Sequence, residues 1–162
     1  MAAPQHPHGT ATIDELQHWV ADRIDEANAV IGVQQWRMLL DHTEGWPADA
    51  DRIFERSFLP RCAEERDGEI AGHVQIHLVG EVSDADPRSL AEQLRSSWHA
   101  AGWLTAQISD AYFRADREDG SRLIVEGSVR PGGNRLVLIV QSACTSDGSL
   151  LDHLGQGLPA LG

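Results

Sequence analysis

The chain has 162 residues, 41% hydrophobic and 23% charged, the proportions of one globular domain with a core of its own. Its net charge is −12, and all thirteen basic residues are arginine. The absence of lysine excludes a Schiff-base or phosphate-loop lysine, and the negative charge argues against nucleic acid and anionic membranes as partners.

The opening "MAAPQHPHGTAT" lacks the basic and apolar regions of a signal peptide and is expected to be a flexible leader over residues 1–11. Two origins fit it: a cytoplasmic protein, or a chain beginning after a removed export signal. Thr12-Ile13-Asp14-Glu15 matches a capping box. Ile13, Leu16, Val20, Ile24, Ala27 and Ile31 then recur three or four apart and predict an amphipathic helix ending near Gly32. Trp36, Met38 and Leu40 alternate with polar residues, as in a half-buried strand, and "TEGWP" reads as a turn. Asp49 or Asp51 is placed to cap a short helix carrying Ile53, Phe54 and Phe58, stopped by Pro60.

Val74, Ile76, Leu78 and Val82 alternate with His73, Gln75, His77 and Glu81, which predicts a long strand with one wet face. "DADPRSL" starts a second long helix, with Asp86 as N-cap and Pro87 in the first turn. Leu90, Leu94, Trp98 and Ala101 form its buried stripe, and Gly102 its left-handed cap. Residues 103–115 read as one bent strand or two short ones. Asp119-Gly120 marks a hairpin turn, and "PGGN" turns the last two strands, the second running from Leu136 to Gln141. The expected fold is α+β: a two-layer sandwich in which two helices cover a mainly antiparallel sheet of about four to five strands. It occupies residues 12–144, followed by a Gly/Leu-rich tail over 145–162 in which Leu150, Leu151, Leu154, Leu158 and Leu161 fall at near-helical spacing.

Few residues point to chemistry. His73 and His77 sit at a metal-pair spacing for a helix, but on a strand four residues span roughly 13 Å, too far to share an ion. The acidic group Glu81, Asp84 and Asp86 lacks the alternating ligands and the glycine of a calcium loop. His6 and His8 lie in the leader, where adventitious metal binding is the expected outcome. No metal site, phosphate loop or cofactor is therefore expected. Cys144, with Asp152 and His153 close in sequence, lacks the electropositive setting that activates a thiol, so no catalytic residue is assigned. Read from the residues alone, Cys62 and Cys144 are either bonded or a pair of quiet thiols. The candidate binding surface is the wet face carrying His73, Gln75, His77 and Glu81. Trp46, a tryptophan in an apparent turn, is expected first as a docked staple and second as an exposed partner hot spot belonging to this surface.

Cys62 in a polar segment, "AAGW" with Gly102 and Trp103, "DGSRLIVE" with Asp119 and Gly120, and "SAC" with Ser142 and Cys144 form a pattern. Over about residues 62–144 it resembles small secreted or lipid-anchored cell-envelope domains of high-GC actinobacteria, although Ala143 stands where those often have proline. The resemblance implies a Cys62–Cys144 disulfide and no assigned activity. The leading expectation is a non-catalytic acidic domain, exported and envelope-associated, that binds a protein partner. The alternative is a cytoplasmic immunity protein, inhibitor or secretion chaperone with free thiols and a basic partner. No run is apolar enough to span a membrane.

Overall fold

The structure, a computed structural model, describes residues 9–33, 36–39, 42–57, 59–62, 70–82, 85–150, 152–153, 158–159 and 161. Helix α1 (Ile13–Ile31) opens on the predicted capping box: the Glu15 N–H donates to Thr12 Oγ1 at 3.2 Å, and the Glu15 carboxylate accepts from the Thr12 N–H. It closes on Gly32, whose φ of 67° is the left-handed conformation that glycine adopts without steric cost. The predicted stripe is the buried one, with Val20 and Ile24 fully enclosed, each such side chain contributing about 1.5–3 kcal/mol.

Strand β1 (Trp36–Met38) forms where the alternation predicts it; Leu40 lies outside the described residues. "TEGWP" holds more than a turn. Gly45 and Trp46 form a two-residue strand, β2 (Gly45–Trp46), paired antiparallel with β1, and the Trp46–Pro47 peptide is cis. Helix α2 (Ala50–Arg56) carries Ile53 and Phe54 inward, while Phe58 lies outside the described residues. Asp49 precedes α2 without capping it through its side chain, because its carboxylate accepts from the Gly45 N–H at 2.9 Å instead.

Strand β3 (Gln75–Glu81) is followed by helix α3 (Pro87–Ala100), whose start Asp86 caps by accepting from the Arg88 N–H. Its end is a Schellman motif. Gly102, at φ 93°, donates to His99 O, and Trp103 donates to Trp98 O. Residues 103–115 resolve into two strands, β4 (Leu104–Ser109) and β5 (Tyr112–Asp116), turned at Asp110-Ala111. Strands β6 (Arg122–Arg130) and β7 (Gly133–Gln141) follow, and Asp119-Gly120 turns β5 into β6 as predicted.

The described strands make one antiparallel sheet in the order β2-β1-β3-β7-β6-β5-β4. The α+β class holds, but the expected four to five strands become seven. Neither a two-residue edge strand nor a tight β4–β5 turn leaves a periodic signal. Ile76, Leu78, Leu123, Val125, Phe113, Ala115, Leu136, Leu138 and Val140 point from the sheet into the core formed with α1 and α3. One contact shows how close the layers come: a Cβ on Gly127 of β6 would lie 2.4 Å from the Pro87 carbonyl oxygen at the start of α3.

Segments on both sides of the 12–144 domain join this framework. Gly9 pairs with Thr145 in a parallel bridge. Leu150 and Leu158 are buried in the core, and the Leu158 N–H donates to Phe54 O. Leu151 and Leu154 lie outside the described residues.

Candidate functional site

Cys62 and Cys144 are bonded, as the resemblance implies, with Cα atoms 6.3 Å apart and a separation of 82 positions in sequence. Short stretches of paired backbone hold both ends. Arg61 bridges Gly72, and Gly72 bridges Thr145, so the segments around 61, 72 and 145 lie side by side. Cys62 donates its N–H to Ala71 O, His73 to Pro60 O, and Thr145 to Gly72 O at 2.8 Å. The Cys144 carbonyl accepts from Gly9.

The β3–β7 ladder changes register here. Gln75 faces Gln141, yet Gly72 faces Thr145, so Ser142, Ala143 and Cys144 stand opposite only Val74 and His73. One extra residue on the β7 side is a bulge, which turns the following side chain to the other face. Without it Cys144 would follow the inward alternation of Ser142, which is buried with its hydroxyl accepting from the Val74 N–H. With it, Cys144 meets His73. The His73 Nδ1 lies 3.6 Å from Cys62 Sγ, and the two sulfurs and one ring nitrogen all fall within 4.8 Å of one another. A bonded sulfur carries no proton, so this contact requires the tautomer with hydrogen on Nδ1. Burial lowers the His73 pKa below its ordinary value and favours the neutral ring.

Alternation along β3 predicts His73 and His77 together on an exposed face. His77 is exposed, but His73 is half-buried against the disulfide. Gln75 is half-buried and Glu81 exposed on the same side of β3, so these residues do share the outer face of the sheet. Register extends that face across the neighbours. His77 lies beside Ile139 of β7, Ile124 of β6, Arg114 of β5 and Ala106 of β4. Gln75 lies beside Gln141, Arg122, Asp116 and Leu104, with its amide 3.5 Å from the Gln141 side-chain oxygen. Arg114 and Arg122 both pair with Asp116, at 2.9 and 2.7 Å. The face therefore has a half-exposed aliphatic middle of Val137, Ile139 and Ile124, framed by paired charges.

Trp46 is not part of that surface. It is 5% exposed, its ring meets Phe54 edge-on at 5.9 Å, and its Nε1 donates to Asp25 at 3.1 Å. Pairing of β2 with β1 carries the ring over α2, which makes it the docked staple. Glu44 is a further buried charge. Its side chain is 6% exposed and lies 3.5 and 3.9 Å from Arg56 and Arg52. Only the i, i+4 arginines hint at a carboxylate held against α2, since a buried charge needs partners.

On the helical side, Arg23, Glu26, Trp98, Trp103 and Arg117 line a cleft of about 190 Å³. Arg117 stacks 3.9 Å over the Trp103 ring, and Arg23 pairs with Glu26 at 2.7 Å. Cys144, in its bond to Cys62, offers no nucleophile to Asp152 or His153. Asp84, His6 and His8 lie outside the described residues, and no helix is long and apolar enough to cross a membrane among those described. No protein-family model, curated protein or solved structure matches the chain.

Proposed function

We infer that the chain is a non-catalytic binding domain of the cell envelope, of the actinobacterial exported kind, which offers the outer face of its sheet to a protein partner. The observation that carries this reading is that face. It is a broad antiparallel surface uncovered by any described helix, with Ile124, Val137 and Ile139 at its middle and Gln75, His77 and Glu81 along one side. Apolar residues framed by polar ones are the anatomy of a protein-binding patch. The net charge of −12 favours encounter with a basic partner. Export is supported by the Cys62–Cys144 bond, since disulfides persist in oxidising compartments and are rare in the cytosol of mesophiles.

Two measurements test the two halves of the proposal. Protein from its native cell, denatured without reductant, should show no titratable thiol; two thiols would return it to the cytoplasm. Immobilised protein should retain an envelope partner at low salt and release it as ionic strength rises. The Ile124→Arg/Ile139→Arg variant, folded as judged by circular dichroism, should retain at least about tenfold less, the loss of roughly 1.4 kcal/mol of binding. Equal retention by both proteins would remove the face from the interface.

A further inference from the structure

We propose that Cys62, Cys144 and His73 form a redox-gated zinc site, closed while the two sulfurs are bonded and open once they are reduced. The donor set has the right chemistry. Two thiolates and one imidazole are the soft and borderline ligands that zinc takes in four-coordinate sites. Zinc–sulfur and zinc–nitrogen bonds of about 2.3 and 2.0 Å at tetrahedral angles put sulfur and nitrogen about 3.5 Å apart, and two sulfurs about 3.8 Å apart. His73 Nδ1 is already 3.6 Å from Cys62 Sγ, and every pair among the three donor atoms lies within 4.8 Å.

The donors are held by the backbone as well as by the bond between them. The Arg61–Gly72 and Gly72–Thr145 bridges, with the Cys62-to-Ala71 and His73-to-Pro60 hydrogen bonds, fix all three segments independently of the sulfurs. The bulge at Ser142–Cys144 aims Cys144 at His73 by the same backbone route. Breaking the S–S bond frees two side chains to separate to the zinc-bridged distance while their Cα atoms, 6.3 Å apart, stay in place. Three protein ligands leave the fourth position to water or to an incoming ligand.

The chemistry balances with one co-reactant, a dithiol reductant. It supplies two electrons and two protons; the Sγ–Sγ bond breaks, Cys62 and Cys144 become thiols, and the reductant departs as its own disulfide. When zinc(II) binds, each thiol gives its proton to solvent, and the His73 proton sits on Nε2 so that Nδ1 carries the lone pair. No electron moves in this second step. The site thus senses two quantities together, a reducing environment and available zinc, and it does so whichever compartment holds the chain.

Cobalt(II), which takes zinc sites and reports thiolate ligation by a near-ultraviolet charge-transfer band, is the direct probe. The full chain reduced with a phosphine under anaerobic conditions should bind one equivalent, with that band and with intense visible bands of tetrahedral cobalt. Zinc should displace it, and the oxidised chain should give no band. The His73→Ala variant, with both thiols present, should bind at least about tenfold more weakly, while His99→Ala on α3 should bind as the parent does. Absence of the band in the reduced chain, or undiminished affinity in His73→Ala, overturns the proposal. If circular dichroism shows the reduced chain unfolded, refolding on addition of zinc supports the site, and failure to refold refutes it.

Discussion

Replacing both cysteines by serine tests how much of the fold depends on the cross-link. The closed loop of 82 positions contains β3, α3 and β4 to β7, whereas α1, β1, β2 and α2 lie outside it. Chain entropy alone assigns a loop of this length about 4.5 kcal/mol, by freeing the unfolded chain rather than by loosening the folded one. The native side of the balance should change little. Paired backbone at Arg61, Gly72 and Thr145 holds the loop ends. At about 2 kcal/mol per molar of urea, the unfolding midpoint should fall by about 2 M, and the melting temperature by about 10–18 °C. Urea titration of parent and Cys62→Ser/Cys144→Ser proteins by tryptophan fluorescence measures this. A midpoint shift below about 0.5 M, near 1 kcal/mol, would refute the entropic account and mean that the unfolded chain already keeps these ends together.

Gly127→Ala should cost about 1–3 kcal/mol in the same titration, since the new methyl would meet the Pro87 carbonyl at the α3–β6 contact. Gly132→Ala, with nothing within 4 Å, should stay within about 0.5 kcal/mol of the parent, and equal losses at both positions would refute the steric account. The oxidised protein should lose stability as pH falls below about 6.5, because the unfolded chain takes up a proton there that the desolvated His73 ring refuses until lower pH. Below the folded pKa no further loss follows from this group, and His73→Asn should show a shallower dependence between about pH 7 and 5. His77 shifts in the same direction and retains its share in that variant. An unchanged slope in His73→Asn would contradict the assignment.

Long periodic elements were legible from the residues: α1 from its capping box and apolar spacing, β3 from strict alternation, α3 from Asp86-Pro87 and Gly102. These signals are local, and tertiary packing agrees with them. What depends on pairing was not legible. Gly45-Trp46 becomes a strand only because Trp36 and Arg37 lie opposite, and two residues carry no period. The buried fate of Trp46 follows from the same pairing. Of the candidate site, the wet face of β3 could be read by counting. Its aliphatic centre could not, since Ile124, Val137 and Ile139 arrive from β6 and β7, far along the chain, and only register sets them beside His77. The alternation with Gln75 and His77 does put His73 on the outer face; what covers it there is Cys62 and Cys144, brought across by a bulge on the β7 side that no residue type announces.

The bridge between Gly9 and Thr145 sets how the molecule would respond to force. These segments run parallel, joined by hydrogen bonds from the Gly9 N–H to Cys144 O and from the Ser146 N–H to Gly9 O. Tension drawing residue 9 toward the chain's start and residue 146 toward its end slides two parallel segments past each other. Both bonds are then loaded in shear at once instead of unzipping in turn. One of the two bonds ends on the Cys144 carbonyl, so the sheared pair is anchored at a residue that is itself covalently tied to Cys62.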